Sequence, residues 1–85
     1  MRMVVVYKSE SDYARGVTDF LRDFTRQTGH TIDELDPDTR EGESFCRVYD
    51  IVQYPTLIAV DNDGVMQNIW VGILPTISEA SYYAG

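Results

Sequence analysis

Tyr49-Asp50-Ile51-Val52-Gln53-Tyr54-Pro55-Thr56-Leu57-Ile58-Ala59-Val60 is the stretch on which the fold turns. Residues 56–60 form a compact apolar run rich in β-formers, which predicts a strand buried on both faces. Residues 51–55 predict the connector that leads into it. Asp61-Asn62-Asp63-Gly64 follows and predicts a hairpin turn in which Gly64 takes positive φ. Residues 65–71 then predict the returning antiparallel strand. The acidic turn does not qualify as an EF-hand: position 59 is Ala, and no Glu follows at the distance such a loop needs.

Upstream, Met3-Val4-Val5-Val6-Tyr7 predicts a first buried strand, broken by the polar Lys8-Ser9-Glu10-Ser11. Tyr13, Val17, Phe20, Leu21 and Phe24 then recur at helical spacing and share one face. Ser9 or Ser11 is the expected cap of that helix and Gly29 its expected end. Residues 30–35 predict a second strand, and Asp36-Pro37-Asp38 a turn. A short helix is expected over 40–49 with Phe45, Val48 and Tyr49 facing inward. Pro75 is expected to open a last helix whose Ile77, Ala80 and Ala84 face the core, joined there by Tyr82 and Tyr83. The order is β-α-β-α-β-β-α. A right-handed crossover makes the first two strands parallel. The expected architecture is an α/β domain over residues 1–85, with a mixed four-stranded sheet and helices on both faces.

This order resembles the core of the thioredoxin superfamily, with a length closer to glutaredoxin. The segment 49–60 is similar to the thioredoxin Tyr-x-Ile-x-x-x-Pro-Thr followed by an apolar strand, and Val71-Gly72 is similar to a Val-Gly before the family's last helix. The stretch from Val4 to Ala14 resembles, with a gap of one residue, the glutaredoxin strand leading into Cys-Pro-Tyr-Cys. The resemblance implies a thioredoxin-like fold and a cis proline at Pro55 beside the site. It also implies that Ser11 and Ala14 stand where the two cysteines would be, with Tyr13 at the motif's Tyr. A buried Asp on the family's first strand corresponds to an apolar residue here, Val5.

Thiol–disulfide exchange requires one thiolate to attack and a second thiol to resolve the mixed disulfide. No cysteine lies between Tyr7 and Val17, and Ser11 has no recognisable base to activate it. Glu10 and Asp12 are expected at the first helix's N-terminus, where they would take up the favourable dipole interaction and repel a bound carboxylate. The lone cysteine, Cys46, reads as a small buried thiol. His30 stands alone, so neither it nor Cys46 suggests a metal site, and no cofactor is expected.

Composition narrows the partners. The chain has a net charge of −7 with seven basic residues among 85, which disfavours nucleic acid and anionic membranes. The acidic run Asp33, Glu34, Asp36, Asp38, Glu41, Glu43 reads as a solvated face. A single cysteine and the lack of a long apolar run point to a soluble, cytoplasmic protein. The expected function is a redox-inactive binding module for a protein or peptide. Its groove lies between Ser11-Asp12-Tyr13-Ala14 and Tyr54-Pro55-Thr56. Two alternatives stay open: a glutaredoxin- or glutathione-transferase-like protein using Ser11 or Tyr13 toward a thiol cofactor, and a structural subunit assembling through the acidic face or the Tyr82–Tyr83 tail.

Overall fold

The computed structural model describes residues 1–84. The elements are β1 (Arg2–Val6), α1 (Ala14–Thr28), β2 (Asp33–Leu35), α2 (Arg40–Tyr49), β3 (Thr56–Val60), β4 (Met66–Val71) and α3 (Ile77–Ser81). They build one four-stranded sheet in the order β2-β1-β3-β4. β1 runs parallel to β2 with Val4 opposite Asp33, and antiparallel to β3 with Val4 opposite Ile58. β4 closes the sheet antiparallel to β3.

The two central strands read as continuous apolar runs because both their faces are covered. Side chains alternate across a strand, so β1 and β3 feed two cores. Met3, Val5, Leu57 and Ala59 pack with Val17 and Phe24 of α1 and Ala80 of α3. Val4, Val6, Ile58 and Val60 pack on the other side with Cys46 of α2 and Ile51.

Several local expectations are corrected. α1 has no side-chain cap: it opens at Ala14 behind Tyr13. The two candidate serines are spent elsewhere, Ser11 donating to the Lys8 carbonyl at 2.5 Å and Ser9 to the Asp36 carboxylate at 3.0 Å. Glu10 and Asp12 therefore precede the helix, and its first turn holds no acidic residue. β2 begins at Asp33, not at residue 30. Its ladder with β1 starts at Val4 opposite Asp33, and Ile32 just upstream is buried in the core without strand pairing. β4 begins at Met66.

In α2 the inward face is Gly42 and Cys46, one helical turn apart and flanked by Phe45 and Tyr49. Val48 points away from it and is 74% exposed. Pro75 precedes the last helix without opening it. Thr76 is the cap, its hydroxyl accepting from the Glu79 N–H in a capping box. Tyr83 packs edge-on against Trp70, whereas Tyr82 lies at the surface. Gly29 does end α1, at φ 76°. The hairpin forms as expected with Gly64 at φ 81°. The Asp61 carboxylate accepts from the backbone of Asp63 and Val65, at 2.9 and 3.0 Å, and so closes that turn.

β4 is an edge strand without a charged side chain. One of its amides is covered from within the chain. Asn68 Oδ1 accepts from the Ile69 N–H at 2.8 Å, and Asn68 Nδ2 donates to the Tyr83 hydroxyl at 3.0 Å.

α2 sits tight on the turn before it. A Cβ built on Gly42 would lie 1.9 Å from the Asp36 carbonyl oxygen, whereas one on Gly16 would meet nothing within 4 Å. Gly42→Ala is expected to cost about 1–3 kcal/mol through overpacking. Gly16→Ala, in the exposed interior of α1, should gain roughly 0.5–1 kcal/mol. Urea unfolding of the two variants checks both signs.

Candidate ligand groove

Four loops meet at one end of the sheet, where β1, β2 and β4 finish and β3 begins. The β1–α1 loop (residues 7–13) is folded on itself: the Tyr13 hydroxyl accepts from the Lys8 N–H at 3.2 Å, and the Ala14 N–H donates to the Ser11 carbonyl at 3.2 Å. The Asp36 carboxylate holds this loop to the β2–α2 turn. It accepts from the Asp38 N–H at 2.9 Å and from the Ser9 hydroxyl at 3.0 Å. Those bonds, with Lys8 nearby, hold the Asp36 carboxyl below its usual range, against a small opposing effect of burial.

The loop before β3 carries a cis peptide bond between Tyr54 and Pro55. Thr56 fastens it. Its hydroxyl donates to the Gln53 carbonyl at 2.6 Å and accepts from the Gly72 N–H at 3.4 Å. The cis-proline loop and the end of β4 are thus one unit. Gly72, at φ 74°, comes so near that a Cβ there would lie 3.1 Å from Gln53 Oε1.

The residues expected to form the groove come to this same end, with one correction. Ser11, Tyr13, Ala14, Tyr54 and Pro55 are half-buried and Asp12 is exposed. Thr56 is fully buried. Its side chain lies beneath the surface of this end, where its hydroxyl satisfies the backbone of two converging segments. Tyr54 links the two halves. Lys8 Nζ stands 5.8 Å from the centre of its ring. Burial pushes the Tyr54 phenol up, aided by the neighbouring Cys46, Asp38 and Tyr13.

The position of Cys46 beside Tyr54 was not legible from spacing. The last turn of α2 passes behind the cis-proline loop, because Ile51 inserts into the core next to Cys46 and turns the chain back. Burial pushes the Cys46 thiol up, and the Tyr54 hydroxyl offsets this in part. Also missed was a set of exposed apolar side chains around the loop: Val52, Val71 and Ile73, at 76%, 48% and 67% exposure. Among the described residues, neither the N–H nor the C=O of Tyr54 is engaged by other backbone groups.

Just inside this end, Tyr7 donates to Glu34 at 2.6 Å. Burial, then the hydrogen bond to Glu34 and its charge, push the phenol up to about 12 from 10.0.

No family model matches the sequence, and no curated protein matches it. Solved structures do. Thioredoxin 1 from Thermosipho africanus TCF52B superposes with a TM-score of 0.70 at 14% identity, covering 98% of this chain and 89% of that one. A malarial protein superposes at 0.68 and 16% identity, covering 94% and 90%. A thioredoxin from Thermus thermophilus superposes at 0.64 and 19% identity, covering 95% and 68%. The likeness extends over nearly the whole chain and shows that the fold is thioredoxin-like.

Two measurements check the chemistry of this end. The folded Tyr7 keeps its proton to about 12 while the unfolded phenol ionises near 10.0. The folded state therefore binds more protons in that window, and this contribution is present below pH 10 and lost as pH rises through it. Urea midpoints at pH 9 and 11 should show the drop, and Tyr7→Phe should reduce it. Cys46, buried with its thiol pushed up, should react with iodoacetamide at pH 8 at least about tenfold more slowly than in the urea-unfolded chain.

Proposed function

We propose that this thioredoxin-like domain is a redox-inactive binding module that holds an extended peptide or protein segment against the cis-Pro55 loop. The observation that carries the reading is the state of Tyr54. Its main-chain N–H and C=O are unengaged among the described residues, and they sit at the end of the sheet beside exposed Val52, Val71 and Ile73. Strand-like pairing with such a backbone supplies affinity, and flanking side chains supply selectivity. This mode of recognition uses no thiol.

The chemistry of the opposite wall supports the same reading. Residues 8–14 offer no sulfur, and the Ser11 proton is directed at the Lys8 carbonyl, which is not a base. Cys46 lacks a second cysteine to resolve a mixed disulfide. A chain with one free thiol suits a reducing, cytoplasmic setting.

The domain labelled with nitrogen-15 and titrated with pooled extended decapeptides should show amide shifts centred on Tyr54, Thr56 and Gly72. Tyr54→Ala should weaken the binding about tenfold, as removal of an aromatic contact near the centre of an interface does. Shifts confined to another face would overturn the proposed site. In an insulin-reduction assay the purified chain should give no turnover, and catalysis that persists in Cys46→Ser would overturn redox inactivity.

A further inference from the structure

The loops at the groove end follow the strand order of the sheet, so their chemistry is laid out in sequence across it. After β2 stand Asp36 and Asp38; after β1, Lys8, Glu10 and Asp12; before β3, Tyr54 and Pro55; at the end of β4, Val71 and Ile73. The first two loops enclose an open depression of about 480 Å³ lined by Lys8, Ser9, Glu10, Asp36 and Asp38. Three carboxylates, those of Glu10, Asp36 and Asp38, line it with one ammonium, and Asp12 follows exposed in the same loop as Glu10. That ammonium, Lys8 Nζ, reaches only Asp38, at 3.9 Å. Glu10 and Asp12 are in no ion pair among the described residues. The other half of the groove carries no charge. It consists of Tyr54, Pro55 and the exposed Val52, Val71 and Ile73, held together because Thr56 ties Gln53 to Gly72.

The spacing between the halves can be converted into peptide length. Three strand intervals separate β2 from β4, roughly 14 Å, and an extended chain covers that in about four residues.

Resting on the binding function above, we propose that the groove selects an extended segment in which a Lys or Arg lies about four residues from an aliphatic or aromatic residue. The basic side chain enters the acidic depression on the side of Glu10, whose carboxylate is in no ion pair among the described residues. The apolar one covers Val71 and Ile73, and the main chain between them pairs with Tyr54. An acidic or uniformly polar segment gains neither contact. The direction of charge agrees with the whole chain at −7, which steers basic segments toward it.

The test is a spatially addressed array of random decapeptides, probed with the labelled domain, its Glu10→Lys/Asp38→Lys double variant, Ile73→Ser and Tyr54→Ala. All four positions are surface or half-buried, so the fold is retained, and circular dichroism verifies it. Bound spots should be enriched in Lys or Arg at the stated spacing from an apolar residue. On those spots the double variant should bind about fivefold less, the scale of two exposed ion pairs. Bound spots that depend on Ile73 and Tyr54 but show no basic bias would overturn the selectivity and leave the groove standing. No bound spots, or spots indifferent to Ile73→Ser and Tyr54→Ala, would overturn both.

Discussion

Double-sided burial of β1 and β3 is the constraint from which the rest of this small domain follows. Val4, Val5, Val6, Leu57, Ile58 and Ala59 are all completely shielded from solvent. Two adjacent strands can be shielded that way only when helices cover both faces, with α1 and α3 on one side and α2 on the other. A chain of 85 residues has little else to bury, and domains of this size withdraw only about 60–65% of their unfolded surface. The outer strands can accordingly be short or polar, as the three residues of β2 and the mixed side chains of β4 are.

With its middle fixed so firmly, the sheet presents its loops at defined positions. Two polar residues arrange those at the groove end. The half-buried Asp36 carboxylate gathers the β1–α1 loop and the β2–α2 turn, while the buried hydroxyl of Thr56 gathers the cis-proline loop and the end of β4. Each works by satisfying backbone groups that would otherwise lack partners, a requirement that is stringent for a buried site such as Thr56. These two residues thus form a supporting layer beneath the loops at this end of the sheet.

Strand and helix identity was legible in the sequence wherever a run of apolar residues had a clean period. The bounds 40–49 and 56–60 coincide with α2 and β3. The Pro-Thr segment also located the loop with the cis peptide bond, between Tyr54 and Pro55. What escaped was decided by tertiary partners. Ser9 and Ser11 have the chemistry of helix caps, but Asp36 and the Lys8 carbonyl compete for their hydroxyls and win. Val48 belongs to the apolar pattern of α2, yet the close seat of Gly42 on the Asp36 carbonyl rotates the helix so that Cys46 points in instead. Thr56 looks like a groove residue from its place beside Pro55. Its burial depends on how two distant segments converge, and no local spacing encodes that.

The outer edge of β4 bears on how such a chain behaves at high concentration. A strand free of charge at the border of a sheet invites a neighbour to add on, and growth by repeated addition has no natural stop. Here the carboxamide of Asn68 folds across the Ile69 amide and is itself anchored to Tyr83. One rung of the ladder that an incoming strand would need is already occupied, and the arriving chain would have to dislodge the Asn68 carboxamide, whose partner Tyr83 packs against Trp70. At this rung the border of the sheet is closed to an added strand, and a neighbour pairing there has first to displace the carboxamide.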